Sequence, residues 1–401
     1  MIEYEQALKK VLNSAYQLPS ESVSLIKSLN RILAEGIRAR ENIPPFQKAT
    51  MDGYAVRAQD TTGASEENPV ELEIIADLPA GKVLKSALKE KCAIKIMTGA
   101  PLPEGADAVV MVEDTEKKGK KVLVKKAVKP GENIGEAGED VKKDELIIPA
   151  GEKIRPPQMG MLASLGFSRV KVAKKPKVAV IATGSEIVEP GSRLSPGKIR
   201  NANGYSLYAL SLRAGADAKY LGIAGDKKSE LRAKISQTKG FNLVLLSGGV
   251  SVGEYDLVKD QLKGFGVEQV FWQVRIKPGK PVFFGKKKNQ LIFGLPGNPV
   301  SSMVTFYLFV RPALDKMLGK KQIGLKKGRA ILAQDLKLKP GRVQFLRGSL
   351  TKEGIVRQVS IFPNQKSGVL KSMVKSNVLV VVPAHIEEME QGEEVEILYL
   401  D

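Results

Sequence analysis

The stretch that decides the fold is residues 243–256, which read Leu-Val-Leu-Leu-Ser-Gly-Gly-Val-Ser-Val-Gly-Glu-Tyr-Asp. The apolar run predicts a buried strand, the glycines predict a tight loop, and residues 255–264 predict a helix. A strand that passes through a glycine loop into a helix is typical of a parallel sheet covered by helices. Two interpretations of the glycines stay open: a plain tight turn, or a loop whose backbone approaches a bound anion.

The alternation of strands and helices continues on both sides of this loop, over residues 177–320. Strands are predicted at 177–182, 219–223, 243–246, 270–276, 281–285 and 290–294. Helices are predicted at 203–214, 228–237, 255–264 and 300–318. This order predicts an α/β domain over 173–322 with a parallel, doubly wound sheet. In such a sheet, ligands bind beyond the carboxyl ends of the strands.

The flanking segments have a different pattern. Residues 46–140 alternate short β-branched runs with Gly, Pro and Asp turns, which predicts an inserted β-rich domain. Residues 1–45 and 141–172 contain helical patterns at 3–17, 25–34 and 156–165, and together they predict a helical linker domain. Residues 323–401 are again predicted to be all β. The fold class is therefore a multidomain α/β plus β protein.

Composition excludes several classes of protein. The chain has 401 residues, one Cys (Cys92) and one His (His385), so an internal disulfide framework is impossible and a Cys/His zinc site is excluded. The first residues do not form a signal peptide, and no apolar run reaches the ~18 residues of a membrane helix. We therefore expect a soluble, cytoplasmic protein without a membrane partner.

The net charge of +19 is distributed unevenly. Residues 173–322 carry +15 of it, whereas residues 46–140 carry −3. A basic segment attracts nucleic acid, membrane surfaces or small anions. Aromatic residues make up only 5% of the chain and do not interleave with the basic segment, which disfavours a nucleic-acid interface. The charge is better explained by attraction of small polyanions to one cleft.

Two predicted strand ends could hold an anion. The first contains Gly248, Gly249 and Ser251, and its backbone together with the helix start could hold phosphate. The second contains Gly297, and either Asn298 or Ser301 could cap the helix that follows. Simple capping explains the second loop equally well, so its role as an anion site stays a hypothesis.

Acids and lysines lie near the same edge of the predicted sheet. Glu186, Asp226 and Asp256 each follow a predicted strand, and three acids beside anion sites suggest Mg²⁺, although each alone could be a surface charge. Lys277 and Lys280 occupy a stiff turn between prolines that suits a phosphate or an oxyanion. A merely charged turn would have the same sequence.

Seven motifs in one order carry a family resemblance. They are residues 44–56, 96–115, 133–140, 182–186, 247–256, 276–281 and 294–302. This set resembles the molybdopterin molybdenumtransferase family, called MoeA in bacteria and matched by the E domain of gephyrin. The motifs extend from residue 44 to residue 302, and the layout fits the whole chain.

The resemblance implies four domains in an elongated homodimer. Besides the molybdopterin-binding α/β domain, it implies a linker domain, an inserted β-rich domain and a C-terminal β-barrel. It further implies insertion of molybdate into adenylylated molybdopterin, with release of AMP and with Mg²⁺, as the last step of molybdenum cofactor synthesis. The active cleft would lie between the α/β domain of one subunit and the inserted domain of the other. The adenylyltransferase that precedes it in the pathway is a candidate partner.

The resemblance also assigns site residues. Those at family site positions are Asp52, Thr98, Asp140, Glu186, Asp226, Asp256, Lys277 and Lys280. The glycine loop with Ser251 would hold the pterin phosphate, the acids (Asp140 included) are metal candidates, and the two lysines would hold molybdate or phosphate oxygens. Asp52 with Thr98 would close the cleft.

The sequence departs from the family pattern at two places. Gly135 stands where the family often has Arg, so one anion contact is either missing or supplied elsewhere. The loop of residues 365–368 matches the family's serine-containing loop loosely, which makes Ser367 and Ser372 secondary candidates.

Three other functions stay open at this stage. They are nonspecific nucleic-acid binding, scaffolding of the kind gephyrin performs, and a stand-alone molybdopterin adenylyltransferase. The flanking domains and the segment Met51-Asp52-Gly53-Tyr54 disfavour the last of these. The sequence does not separate molybdate from tungstate.

Overall fold

The computed structural model describes residues 1–249, 257–353 and 356–400, and their side chains except those of 257–260, 352, 353 and 356. The α-helices in these ranges are α1 (Tyr4–Ser14), α2 (Pro156–Ser164), α3 (Asn203–Arg213), α4 (Lys228–Ser236), α5 (Leu257–Gly264), α6 (Pro299–Thr305), α7 (Arg311–Met317) and α8 (Lys371–Val374). None of the helices in these ranges combines the length and the apolar character that crossing a bilayer requires.

The chain divides into two compact units. The larger unit comprises Met1–Glu35, Ala150–Arg155 and Val170–Asp401. The smaller unit comprises Gly36–Pro149 and Pro156–Arg169. The four domain boundaries expected from the sequence are finer than this division and stay predictions.

The centre of the larger unit is a six-stranded sheet. Its strands, in spatial order, are Asp217–Ala224, Lys177–Thr183, Leu243–Ser247, Gln290–Leu295, Phe283–Lys287 and Glu268–Trp272. The first four run parallel, as predicted, whereas the last two pair antiparallel. The reason is the two-residue connection between Lys287 and Gln290, which allows a hairpin but is too short for a parallel crossover.

Both faces of this sheet are covered. On one face, alternate buried residues such as Val178 and Leu245 pack against a cluster that includes α1, α3 and the helix from residue 299 to 317. On the other face, Ile181 and Val244 pack in a second cluster with residues of α4 and α5. Near-continuous apolar strands with helices on both sides make the domain doubly wound, as the sequence predicted.

The long helix predicted at 300–318 is present, with an irregular centre. It comprises α6, a π-helical turn at Phe306–Val310, and α7. Near its end lies Asp315, whose side chain is buried, and whose carboxylate accepts two bonds of 3.0 Å from Arg311 Nε and one of 2.5 Å from Lys320 Nζ. The Gly324 N–H also donates to this carboxylate, at 3.0 Å. A buried acid therefore joins α7 to the segment that follows it.

The C-terminal strands form a closed β-barrel. They are Lys327–Leu332, Val343–Glu353, Val356–Ile361, Val378–Val382 and Glu394–Tyr399. The sheet closes because Val343–Glu353 pairs with both Val356–Ile361 and Val378–Val382. A short strand from the α/β region, Ile276–Lys277, adds in parallel to Val343 and Gln344. The predicted barrel is confirmed, and it is connected through this short strand to the lysine turn.

The smaller unit is built on a second six-stranded sheet. Its strands, in spatial order, are Ala108–Met111, Gly53–Val56, Cys92–Ile96, Val70–Leu78, Lys121–Val124 and Thr115–Lys118. Gly53 is required at its position because a Cβ there would collide with the carbonyl oxygen of Val110 on the neighbouring strand. The β-rich insert predicted from the sequence is therefore present.

The helix predicted at residues 25–34 is wrong. Only Leu25–Lys27 forms a 3₁₀ turn, and Asn30 adopts a left-handed φ of 63°, which ends any helical path. Beyond it, the Leu33 N–H donates to Glu152 O at 2.9 Å and Leu33 bridges to Val172. Pairing with distant segments therefore uses the backbone groups that a helix would need.

Candidate active site

A cleft of about 480 Å³ lies at the carboxyl edge of the α/β sheet, and we call it the rim cleft. It brings together six of the site residues expected from the sequence: Glu186, Asp226, Gly248, Gly249, Gly297 and Asn298. These residues come from four different strand ends, separated by up to 112 positions in the chain. The predicted location, beyond the carboxyl ends of the strands, is therefore where the structure places them.

Gly248 allows the loops of the rim cleft to approach each other closely. Its φ is 97°, and a Cβ at this position would collide with the carbonyl oxygen of Thr183. Its N–H, however, donates to Leu295 O at 3.0 Å. The absence of a side chain on Gly248 thus leaves space in the rim cleft. Its own N–H is already used in the hydrogen bond to Leu295 O.

Two acids line the rim cleft. Asp226 Oδ2 accepts a bond of 3.0 Å from Ser185 N–H, and the Asp226 N–H donates to Ser185 Oγ at 3.0 Å. The Glu186 carboxylate folds over Gly184, with Oε2 2.5 Å from where a Cβ of that glycine would lie. Across the described ranges, no group of three or more His, Cys, Asp or Glu side chains is placed to hold a metal ion. Asp256, the third predicted acid, and Ser251 lie outside the described residues.

A second, larger cleft of about 1200 Å³ adjoins the first, and we call it the lysine cleft. It is lined by the cationic side chains of Lys277, Lys280, Arg342 and Lys366, and by the predicted candidates Ser301 and Ser367. In the described part of the chain, no carboxylate lines it. The two clefts share Pro281, Pro296 and Asn298, so the surface is continuous from one to the other.

Electrostatics in the lysine cleft favour an anion. Burial lowers the pKa of Lys277 below the ordinary lysine value, and the positive charges of Arg342, Lys339 and Arg347 lower it further. Cations concentrated in this way repel one another, and a bound anion relieves that repulsion. The role of the lysine turn as an anion site stays a prediction.

Arg347 lies beneath the lysine cleft and was not identified from the sequence. It is 1% exposed, and burial lowers its pKa to about 10. Its Nε donates to Ser372 Oγ at 3.1 Å, and its Nη2 donates to Lys366 O at 3.2 Å. Gln365 supports the same loop, since its Nε2 donates to Arg347 O at 3.0 Å. Ser372 therefore contacts the arginine and does not line the cleft, whereas Ser367 does.

The helix start in the second loop is not capped by a side chain as expected. Asn298 occupies the N-cap position of α6 without a side-chain capping bond, and Pro299 follows at the first turn. The Val300 N–H donates instead to Ser367 O, at 3.1 Å. Contact with the barrel's loop thus replaces the expected cap, because a distant carbonyl satisfies this backbone donor.

In the smaller unit, Asp52 and Thr98 form one cluster. Asp52 Oδ1 accepts bonds from the Thr98 N–H at 2.7 Å and from Thr98 Oγ1 at 2.8 Å. These two bonds, the backbone one first, lower the pKa of the Asp52 carboxyl. Asp52 is consequently held as an oriented anion on an exposed surface. Asp140 is also exposed in this unit, and its N–H donates to Ile43 O.

A lysine occupies the space beside Gly135. A Cβ at Gly135 would lie 3.1 Å from Lys48 Cε, on the paired strand, and 2.9 Å from Glu139 Oε2. Lys48 Nζ forms an ion pair of 3.0 Å with Glu139. A cation is thus present beside Gly135, and it is paired with a carboxylate of the same loop.

Comparisons with known proteins identify the domains that compose the chain. Family profiles match residues 2–166 as the MoeA N-terminal region (domain I and II), 179–316 as a probable molybdopterin binding domain, and 329–400 as the MoeA C-terminal region (domain IV). The matches define a multidomain protein built around a domain of the molybdopterin-binding class.

Named relatives narrow this class to one family. The chain is 35% identical to the molybdopterin molybdenumtransferase of Bacillus subtilis, over 100% of this chain and 94% of the relative. It is also 35% identical to that of Staphylococcus aureus strain Mu50, over 99% and 95%. The crystal structure of the molybdopterin biosynthesis MoeA protein from Pyrococcus horikoshii superimposes with a TM-score of 0.87 at 36% identity, covering 100% and 99%. The chain belongs to the molybdopterin molybdenumtransferase family, whose named members are enzymes.

Proposed function

We propose that the chain inserts molybdate into adenylylated molybdopterin, releasing AMP and forming the molybdenum cofactor. The observation that carries this proposal is the continuity of the rim cleft with the lysine cleft through Pro281, Pro296 and Asn298. A reaction between a phosphorylated pterin and an oxyanion needs two adjoining anion sites. Positioning two reactants side by side removes much of the entropy barrier to their reaction.

In the proposed reaction, the rim cleft binds the pterin phosphate. Gly248 leaves room for the phosphate, and Gly249 and Gly297 bring backbone close to it. The start of α6 faces both clefts through Asn298, and a helix start favours negative charge.

Mg²⁺ fits the acids of the rim cleft. Glu186 and Asp226 supply the carboxylate oxygens that Mg²⁺ prefers, and substrate phosphates with water would complete its coordination. Bound there, Mg²⁺ neutralises charge on the pyrophosphate. By family position Asp256 would be a further ligand. Asp140, in the smaller unit, stays a metal candidate on the resemblance alone.

Lys277 and Lys280 hold the molybdate in the proposed reaction. Both line the lysine cleft, and the pKa of Lys277 is lowered first by burial and then by neighbouring cations, whose charge an oxyanion would offset. The chemistry requires positioned cations and no side-chain nucleophile, which agrees with a chain that has one His. Tungstate has the same charge and nearly the same size, so both oxyanions belong in the assay.

The test is an assay of AMP release. Purified protein is supplied with adenylylated molybdopterin, MgCl₂ and molybdate, and AMP is measured together with reconstitution of a molybdenum enzyme. We expect AMP release that depends on molybdate and Mg²⁺. An absence of AMP release would overturn the proposal, and AMP transfer from ATP to molybdopterin would instead identify an adenylyltransferase.

The proposal includes a cytoplasmic homodimer that receives its substrate from the adenylyltransferase. The family resemblance supports a cleft that combines the α/β domain of one subunit with Asp52 and Thr98 of the other. A mixing experiment tests this arrangement. Asp52→Ala and Lys277→Ala proteins, each inactive, are expected to recover about a quarter of wild-type activity after subunit exchange, because half the dimers then carry one intact site of two. No recovery after verified exchange would contradict a shared cleft.

A further inference from the structure

Asn203, the first residue of α3, joins the two loops of the rim cleft. Its side chain is buried, with 8% of the residue exposed. The amide Nδ2 donates to Ser247 Oγ at 2.8 Å and to Gly297 O at 2.7 Å. Ser247 ends one central strand, and Gly297 follows the neighbouring one. One amide group therefore uses both of its hydrogens to connect two loops that are 50 residues apart in the chain.

The two loops need such a restraint. Gly248 and Gly249 adopt φ values of 97° and 65°, and glycines have the greatest backbone freedom of any residue. The loops approach closely, since a Cβ on Gly297 would lie 3.7 Å from Gly248 Cα. Among the described residues, the pairing of Ser247 with Leu295, the bond of Gly248 N–H to Leu295 O and the Asn203 amide hold the two loops together. A change in that separation would alter the width of the phosphate site.

The start of α3 is itself held rigidly. Asn201 Oδ1 accepts a bond of 2.9 Å from the Gly204 N–H, and Asn201 Nδ2 donates to Tyr220 OH at 2.6 Å. Tyr220 OH in turn donates to Glu189 Oε1 at 2.7 Å. The start of α3, and Asn203 with it, is thus connected to the edge strand through Tyr220.

We propose that Asn203 is a positioning residue for phosphate recognition, acting through Ser247 and Gly297 and not by contact with substrate. This inference rests on the proposed function in one respect, the assignment of the rim cleft as the phosphate site. Loss of the amide leaves Gly297 O without its donor and lets the glycine loop relax. Both changes weaken phosphate binding, because that binding depends on the spacing of the two loops.

The experiment compares Asn203→Ala with a matched control, Asn242→Ala. Asn242 directly precedes the strand Leu243–Ser247, at the end opposite to Ser247. Its Oδ1 accepts from Lys177 N–H at 2.9 Å, and its Nδ2 donates to Tyr16 OH at 3.1 Å. Both substitutions remove one partly buried amide with two partners, so both lower the melting temperature. Only the first removes a bond to the rim cleft.

The probe is inorganic pyrophosphate with MgCl₂, titrated by calorimetry. We expect Asn203→Ala to raise the Kd for pyrophosphate about tenfold, and to raise the KM for adenylylated molybdopterin by a similar factor. Asn242→Ala is expected to stay within about twofold of the unsubstituted protein in both measurements. An equal loss in the two variants, or none in Asn203→Ala, would overturn the proposal.

A second variant keeps the test valid if Asn203→Ala does not fold. Ser247→Ala removes one acceptor of the Asn203 amide and leaves α3 intact, and we expect it to raise the Kd about threefold. An unchanged Kd would overturn the proposal, as would an unsubstituted protein that binds no pyrophosphate. Failure of the proposed function is a separate outcome. It is recognised by a protein that binds pyrophosphate but releases no AMP.

Discussion

Replacement of Lys277 by alanine is expected to lower molybdate-dependent AMP release by about 100- to 1000-fold, the usual effect of removing one group that stabilises developing negative charge in a closed site. The physical reason is that Lys277 is a partly buried cation among other cations, in a cleft that no carboxylate in the described residues lines. Its positive charge is therefore not neutralised by the protein and is available to an oxyanion. Steady-state kinetics at saturating molybdate measure the effect on kcat, and the molybdate dependence measures the effect on KM.

The pH profile gives a second measure of the same residue. Because burial and neighbouring cations lower the pKa of Lys277, it loses its proton, and with it its affinity for an oxyanion, at a lower pH than an ordinary lysine. Activity should therefore decline on the alkaline side as pH rises through this lowered pKa. Lys277→Arg, if active, should move the decline to higher pH, since arginine stays protonated. If the alkaline decline of activity does not move, it is caused by the titration of another group.

The control for charge is Lys118, on the hairpin of the smaller unit. It is exposed and pairs with Glu116 at 3.6 Å, so Lys118→Glu is expected to leave activity unchanged. Lys121 in the same hairpin is also exposed, and Lys121→Glu should likewise leave activity unchanged. A large loss of activity in either hairpin variant would show that general charge, and not the lysine cleft, determines turnover. Retention of full activity by Lys277→Ala would remove Lys277 from the site.

Replacement of Asp315 by alanine is expected to lower the free energy of unfolding by about 3–5 kcal/mol, because it removes a buried carboxylate that pairs with two largely buried cations. Asp315 is completely buried and accepts bonds from Arg311, Lys320 and the Gly324 N–H. The two cationic side chains are themselves about 85% buried. Denaturation by urea, followed by circular dichroism, measures the change.

The matched control is Glu394→Ala. Glu394 pairs with Arg329 at 2.7 Å, but both side chains are more than half exposed, so the change should cost less than about 1 kcal/mol. If the Asp315→Ala protein unfolds at the same urea concentration as the control, the buried carboxylate is not a stabilising centre of the larger unit.

Much of the α/β region could be predicted because its signals are local. The strand Leu243–Ser247 is a mainly apolar run that glycines follow. The helices α3 and α4 keep the apolar periodicity of helices. The signals of the loops at the carboxyl edge are local too, because these loops are rich in Gly, Pro and acids, which form turns within a few residues. Their grouping into one cleft follows from the rule that parallel strands end at the same edge.

The remaining features depend on contacts between distant segments. Arg347 is two residues from Phe345 on the barrel strand, so both side chains lie on the same buried face, and this shared face was the signal that could have identified Arg347. Asn203 looked like an ordinary helix start, since its acceptors lie 44 and 94 residues away. The segment 25–34 failed as a helix for the same reason: backbone partners at Glu152 and Lys171 are not visible in a local pattern.

The short strand Ile276–Lys277 also links completion of the lysine cleft to the order in which the chain is synthesised. Because it pairs with Val343 and Gln344, the direction in which Lys277 projects depends on the register of a barrel strand made more than 60 residues later. That barrel strand is in turn paired with Val378–Val382. During synthesis on the ribosome, the strands of the α/β sheet are therefore complete early, but the lysine cleft is completed only after residue 382 has emerged. Order of synthesis thus separates assembly of the sheet from completion of the lysine cleft.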